Sequence, residues 1–260
     1  MTRCQIPLGH RALTDGLSYT EAMYYLCQKI LQSFNNDTNL QSDYNQIISD
    51  SLEVEGLRQR VHPSFRTKEE CKTVSDRLHH YAIRLHTSFV VSVLCRPSLR
   101  RGARIGMDPT QKATLFEKCK EGLTETVRMY LKMHSLSVIP TRSWAFTFHG
   151  LSSAVLLGIL GETKTDPEVR QLQGDLISAL SATAAKEQPS NVAKSDKDIE
   201  LSGPLSRALT ALKNIYDHGW VVETKHVSSE APVQDQDTTF EQHHNAAIAM
   251  ASMQNGMVPP

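Results

Sequence analysis

One stretch constrains this chain more than any other: TKEECKTVSDRLHHYAIRLHTSFVVSVLCRPSL, from Thr67 to Leu99. It reads as one long helix with a defined start and stop. Thr67 is placed to cap the first turn, and Glu70, three residues on, completes a capping box. Cys71, Val74, Leu78, Tyr81, Leu85, Phe89 and Val93 follow at spacings of three or four, which lays them on one face. From Phe89 the apolar surface widens as Val90, Val91, Leu94 and Cys95 join it, and a helix apolar nearly all round is buried on several sides. Pro97 cannot continue the helix and biases Arg96 away from it. The spacing therefore predicts a central helix over Thr67–Cys95, with Phe89 deep in the core.

Around that helix, 260 residues suffice for a sizeable core. Lysine plus arginine (28) balance aspartate plus glutamate (28), so no net field draws the chain to nucleic acid or anionic lipid. The five cysteines are widely spaced and none forms a C-x-x-C pair. An odd number, three of them at helical core positions, predicts reduced thiols inside a cell. No secretory signal is visible, so the Asn36-Asp37-Thr38 sequon is expected to carry no glycan. The run from Trp144 to Leu160 is the one membrane-like segment, but it is too short to span and contains His149, Gly150 and two serines. It is read as a buried core helix.

The remaining segments follow the same pattern. Ser18-Tyr19-Thr20-Glu21 is a second capping box, opening a helix with Met23, Leu26, Cys27, Ile30 and Phe34 on its apolar face. Ser42 is expected to cap a weaker helix in which Tyr44, Ile47, Ile48 and Leu52 face one way. Asp108-Pro109 and Asp166-Pro167 each pair an N-cap aspartate with proline at the first helical position. Phe116, Cys119, Leu123, Val127, Tyr130 and His134 trace the stripe of the first of these helices. Val169, Leu172, Leu176, Ile177 and Leu180 trace the second. Leu205, Leu209, Leu212 and Tyr216 mark a last one. Residues 186–200 are polar and without period, a solvated linker. Residues 221–260 are poor in aromatics and rich in Gln, Asp, Ala, Met and Pro, and read as a disordered tail. The expectation is an all-α fold: an irregular bundle of about seven helices over residues 1–220, followed by that tail.

Candidate chemistry is sparse. His149, Gly150, Ser152 and Ala154 resemble part of a serine nucleophile elbow, but such an elbow needs a strained strand-to-helix turn, and this one lies inside a helical run. His79, His80 and His86 lack the four-residue spacing of a helical zinc pair. Arg96, Arg100, Arg101 and Arg104 crowd one loop, which reads either as an anion, nucleic-acid or import-receptor contact or as cations gathered at a helix C-terminus and in a solvated loop. The neutral chain and the lack of interleaved aromatics favour the second. No P-loop, dinucleotide fingerprint or zinc-type cysteine set is present. On the residues alone there is no catalytic, cofactor or metal site, and a cofactor-free helical enzyme using His149 and Ser152 stands as the alternative, with a non-transcriptional helical adaptor as a third reading.

Taken in order, the segments resemble a known family. Leu85–Leu99 is similar to the signature helix of the fungal-specific transcription factor domain, a histidine-containing apolar helix ending in Arg-Pro. Lys118–Val127 resembles the next helix, which often opens with a cysteine. Ser143–Leu157 resembles the following one, with its aromatic entry. CQIPL (Cys4–Leu8) and SYTEAMYY (Ser18–Tyr25) resemble the family's opening passage. The resemblance covers roughly Cys4 to Gly219 and singles out His86, Arg96, Pro97, Cys119 and Trp144 as structural signature positions. Cys95 and Ser98 depart from the pattern, standing where a histidine and an aromatic are common.

The resemblance implies transcriptional regulation and a nuclear setting, with the cytoplasm as the setting otherwise. In the family this region is the C-terminal part of a larger domain that follows a six-cysteine binuclear zinc cluster. Neither that cluster nor the Trp-Arg and Gly-Leu-His motifs of the domain's first helices is in this sequence. DNA binding is therefore carried over to no residue, and no cofactor is expected. A truncated gene product, a mis-split gene model and a regulator acting without its own DNA reader all stay open. The expected partners are a related transcription factor, a second copy of the chain or a small-molecule effector, with no membrane. Loss of the first helices predicts an uncovered apolar face near Met23, Leu26, Ile30 and Phe34.

Overall fold

In the computed structural model the described residues are 16–37, 43–96, 107–137, 143–160, 166–186 and 203–218. They form seven α-helices: α1 (Tyr19–Asp37), α2 (Tyr44–Arg60), α3 (Val74–Cys95), α4 (Pro109–Leu136), α5 (Trp144–Ile159), α6 (Pro167–Lys186) and α7 (Gly203–His218), with a 3-10 turn at Pro63–Phe65. The fold is all-α, as the periodicity predicts. Among the described residues the one β-type feature is an isolated bridge between Leu17 and Val61. Lys186, the first residue of the expected linker, is the last of α6, while the rest of the linker, the tail, Cys4–Leu8 and the arginines after Pro97 lie outside the described residues. The chain divides into two compact units, Met1–Ser153 and Ala154–Pro260.

In the first unit the central element is the pair α3 and α4, which make the most extensive contact and run antiparallel, Arg84 meeting Glu125 and Ser92 meeting Cys119. Its closeness is set by Gly122: a Cβ there would stand 2.8 Å from the Ser88 carbonyl oxygen and 3.2 Å from the Ser92 nitrogen. Only a residue without a side chain lets the two backbones meet. Small and hydroxylated residues accordingly line the seam, with Thr87, Ser88, Ser92 and Thr126 all buried. Thr87 Oγ1 donates to the Ile83 carbonyl at 2.8 Å, Ser92 Oγ to the Phe89 carbonyl at 2.7 Å and Thr126 Oγ1 to the Gly122 carbonyl at 2.7 Å. Leu115, Leu123, Val127 and Tyr130 supply the apolar filling from α4.

The long helix begins later than its sequence predicts. Thr67 donates through both its amide and its hydroxyl to Glu70, but residues 67–73 are not helical and only 68–70 form a turn. The helix starts at Val74, where Thr73 and Asp76 form a full reciprocal capping box. Two candidate boxes compete within seven residues, and the one satisfying both orphan amides prevails. Val74 is therefore in the first turn and 55% exposed, not on the core stripe. Phe89 is half-buried, a correction to its expected depth, because the deepest face of α3 is the hydroxyl-lined one that meets α4.

The flanking helices show similar shifts. The Ser18–Glu21 box forms, with Ser18 N donating to Glu21 Oε2 at 2.8 Å and Glu21 N to Ser18 Oγ at 3.3 Å. The face of α1 expected to lie uncovered is in fact packed at Leu26, which is 2% exposed, because α1 lies against α2 and α3. The outward residues are Tyr24, Cys27 and Leu31, and the Phe34 side chain lies outside the described set. On α2, Ile47, Ser51, Val54 and Leu57 are buried, whereas Leu52 is 58% exposed. The N-cap position of α2 is Asp43, and Ser42 is outside the described residues. Gly16 closes this end at φ +84°, where a Cβ would strike the Val61 carbonyl oxygen at 2.7 Å.

The second unit holds the last turns of α5 with α6 and α7. Asp166 Oδ1 accepts from the amides of Glu168 and Val169, as an N-cap should. Val169, Leu172, Leu176 and Leu180 of α6, and Leu205, Leu209 and Leu212 of α7, are buried. Gln173 Nε2 donates to the Ala154 carbonyl at 2.9 Å.

Candidate functional site

The residues singled out by sequence order converge within the first unit. His86 lies on the α3 face opposite the hydroxyl seam, and His149 lies on α5. Their Nδ1 atoms are 3.1 Å apart. One Nδ1 must donate and the other accept, so the two rings cannot both be imidazolium. The His149 ring lies flat on Phe89, centroids 3.9 Å apart, and His86 meets Phe146 at 5.0 Å. Trp144 stacks on Phe148 at 4.7 Å, and Phe148 meets Phe89 edge-on at 6.1 Å. Burial pushes the pKa of His86 down to about 4. Burial, then the neighbouring His86 and Arg96, push that of His149 down to about 3. Both rings are neutral at pH 7.

Arg96, one residue past the end of α3, closes the cluster. Its guanidinium lies over the Phe89 ring at 5.3 Å, and its Nη2 is 3.5 Å from Ser92 Oγ. Its Nε is buried and has no hydrogen-bond partner. Cys119 Sγ donates to the Ser92 carbonyl at 3.5 Å. Burial raises the thiol pKa to about 12, with Arg96 pulling the other way, so this cysteine is inert rather than nucleophilic. Four signature positions, His86, Arg96, Cys119 and Trp144, thus come from three helices and the end of one into a single cluster; Pro97 lies outside the described residues.

The elbow-like residues are arranged differently. Ser152 is buried inside α5, and its Oγ donates to the His149 carbonyl at 3.4 Å. The His149 ring is engaged with Phe89 and His86, so the serine has a backbone acceptor in place of an imidazole base. The other histidines separate too. His79 stacks on Tyr19 at 4.7 Å, while His80 Nδ1 is 3.1 Å from the Phe65 carbonyl. Among the described residues no three His, Cys, Asp or Glu side chains are grouped to hold a metal ion, and no helix is long and apolar enough to cross a membrane.

Periodicity passed over a second polar group. Glu125, in the middle of the α4 stripe, accepts from Arg84 at 2.6 Å and from Arg128 at 2.6 Å. Burial raises its carboxyl pKa, but the two guanidinium groups outweigh burial and hold it below the usual range. Arg58 of α2 donates to Thr87 Oγ1 at 2.8 Å and to Ser88 Oγ at 2.7 Å. The available signal was a charged residue interrupting each apolar run. Comparison with protein-family models, with curated proteins and with solved structures gives no match.

Proposed function

We propose that the chain is a non-enzymatic regulatory module of the kind found in fungal zinc-cluster transcription factors, acting in the nucleus through protein association or effector sensing. The observation that carries this reading is the convergence of His86, Arg96, Cys119 and Trp144. Residues that the resemblance singles out from separate segments make one packed cluster, which suits positions kept for helix packing in a shared domain. The neutral charge balance also favours association with protein over direct grip on phosphates. The rival enzyme reading gains nothing from Ser152, whose hydroxyl is committed to its own helix.

The test is a reporter assay with the full chain. Fused to a heterologous DNA-binding domain, it should change reporter output. Co-expressed beside a related full-length factor, it should lower that factor's output by competing for partners. An unchanged reporter in both arrangements overturns the proposal. The purified chain should show no sequence-selective DNA binding and no stoichiometric zinc.

A further inference from the structure

A guanidinium that leaves water needs an anion or a full set of acceptors. Arg96 has neither. Among the described residues its contacts are the Phe89 ring, the long approach to Ser92 Oγ and the nearby Cys119 and His149, and no carboxylate is among them. The last carbonyls of α3 offer a partial negative charge and Phe89 a ring face, yet Nε remains buried without an acceptor.

A second buried polar atom is left over in the same unit: Ser153 Oγ, on α5, also has no partner. Ser153 is one turn past His149 on the same face of α5. The contacts of α5 with α3 run in step, Phe146 with His86 and then His149 with Phe89. Continuing that register by one turn brings Ser153 level with Val93, one turn before Arg96. Two unsatisfied donors, from two facing helices, are thus carried to the same end of the cluster. The histidine pair between the helices contributes no charge at pH 7: its Nδ1–Nδ1 hydrogen bond forbids two imidazolium rings, and burial keeps both rings neutral.

We propose that Arg96 and Ser153 form a binding site for the carboxylate of a small organic acid, with the guanidinium pairing its charge, the serine hydroxyl donating to an oxygen, and Phe89 flanking its apolar part. Charge selects the class. One guanidinium beside neutral imidazoles balances one negative charge, so a monocarboxylate leaves the site neutral whereas a phosphate dianion leaves a buried excess. This inference goes beyond the regulatory reading: the site stands or falls whatever the chain regulates.

The experiment is a thermal-shift titration of the full chain with acetate, butyrate, benzoate and phenylacetate, against chloride at matched ionic strength and against inorganic phosphate. At least one of the acids should raise the Tm in a concentration-dependent way. Arg96→Met should abolish that response while leaving the ligand-free Tm equal or higher, because a buried unpaired charge has been removed. Should Arg96→Met not fold, Arg96→Lys carries the test and should weaken the apparent affinity, since Lys lacks the bidentate fork. Ser153→Ala should weaken it about tenfold, the loss of one hydrogen bond to a charged group. The proposal is overturned by no response to any of the four acids, by an undiminished response in the Arg96 variant, or by phosphate acting as strongly as the acids.

Discussion

The two faces of α3 are built on different terms. Toward α4 the polar groups are spoken for: Thr87 and Ser92 bond to carbonyls of their own helix, Ser88 and Thr87 receive Arg58, and Glu125 is held by Arg84 and Arg128. Toward α5 the contact is made of rings, His86, Phe89, Phe146 and His149, and two donors at its end are unsatisfied. A buried polar network adds to stability only when it is complete. The α4 face is therefore a completed network, while the α5 face ends in two buried donors without partners. The difference predicts that the two faces fail under different insults.

Acid should give the largest effect, and it should strike the α5 face first. The folded pKa values of His86 and His149, about 4 and about 3, lie below the ordinary 6.5. Between pH 6.5 and about 4 the unfolded chain therefore takes up protons that the folded chain refuses, and stability falls as pH falls. At pH 5 each histidine costs about 2 kcal/mol on this account. Glu125, with its folded pKa depressed, stabilises above the ordinary carboxylate range and loses that contribution only as pH falls further. Urea denaturation from pH 7.5 to 4.5 should show the early loss, and His86→Leu/His149→Leu should flatten it. An unchanged slope in that double variant would remove the buried pair from the account.

The α4 face should instead break by sterics. Gly122→Val sets a branched side chain against the Ser88 carbonyl and the Ser92 amide, which are backbone and cannot rotate away. A loss of about 3 kcal/mol or more is expected, at the upper end of overpacking costs, with little dependence on pH. Chemical denaturation of this variant at pH 7.5 and 5 separates the two insults. Phe89→Ala should cost less, about 2 kcal/mol, because the ring is half-buried and a fully buried aromatic loses about 3–5. Its other signature is a freed His149 ring, visible as an upward shift of an imidazole titration by NMR.

Local chemistry made part of this legible in sequence. The caps at Ser18, Asp108 and Asp166 form because their donors and acceptors lie within three residues of each other, and the α4 stripe of Cys119, Leu123, Val127 and Tyr130 is buried as its spacing requires. What escaped depended on distant partners. The burial of Thr87 and Ser88 follows from Arg58 and from the bare backbone of Gly122, both remote in sequence. His149 reads as a base for Ser152 when only its neighbours are seen; its ring partners, Phe89 and His86, lie on another helix. The start of α3 differs from its expected place for a local reason, since Thr67–Glu70 and Thr73–Asp76 both offer capping pairs and the sequence does not rank them.

The smallest effect is expected at Ser152, and it sharpens the comparison from the α5 side. Its hydroxyl spends its proton on the His149 carbonyl at 3.4 Å, a long bond within one helix. Ser152→Ala removes that bond, and the carbonyl keeps its helical partnership, so no buried donor is orphaned. A stability change within about 0.5–1 kcal/mol follows. A nucleophilic serine would behave otherwise: it would react with a fluorophosphonate probe, and the substitution would erase the label. The wild-type chain should take up no such label at Ser152. Labelling that disappears in Ser152→Ala would mean that α5 opens to present this hydroxyl, and it would promote the helical-enzyme reading over the regulatory one.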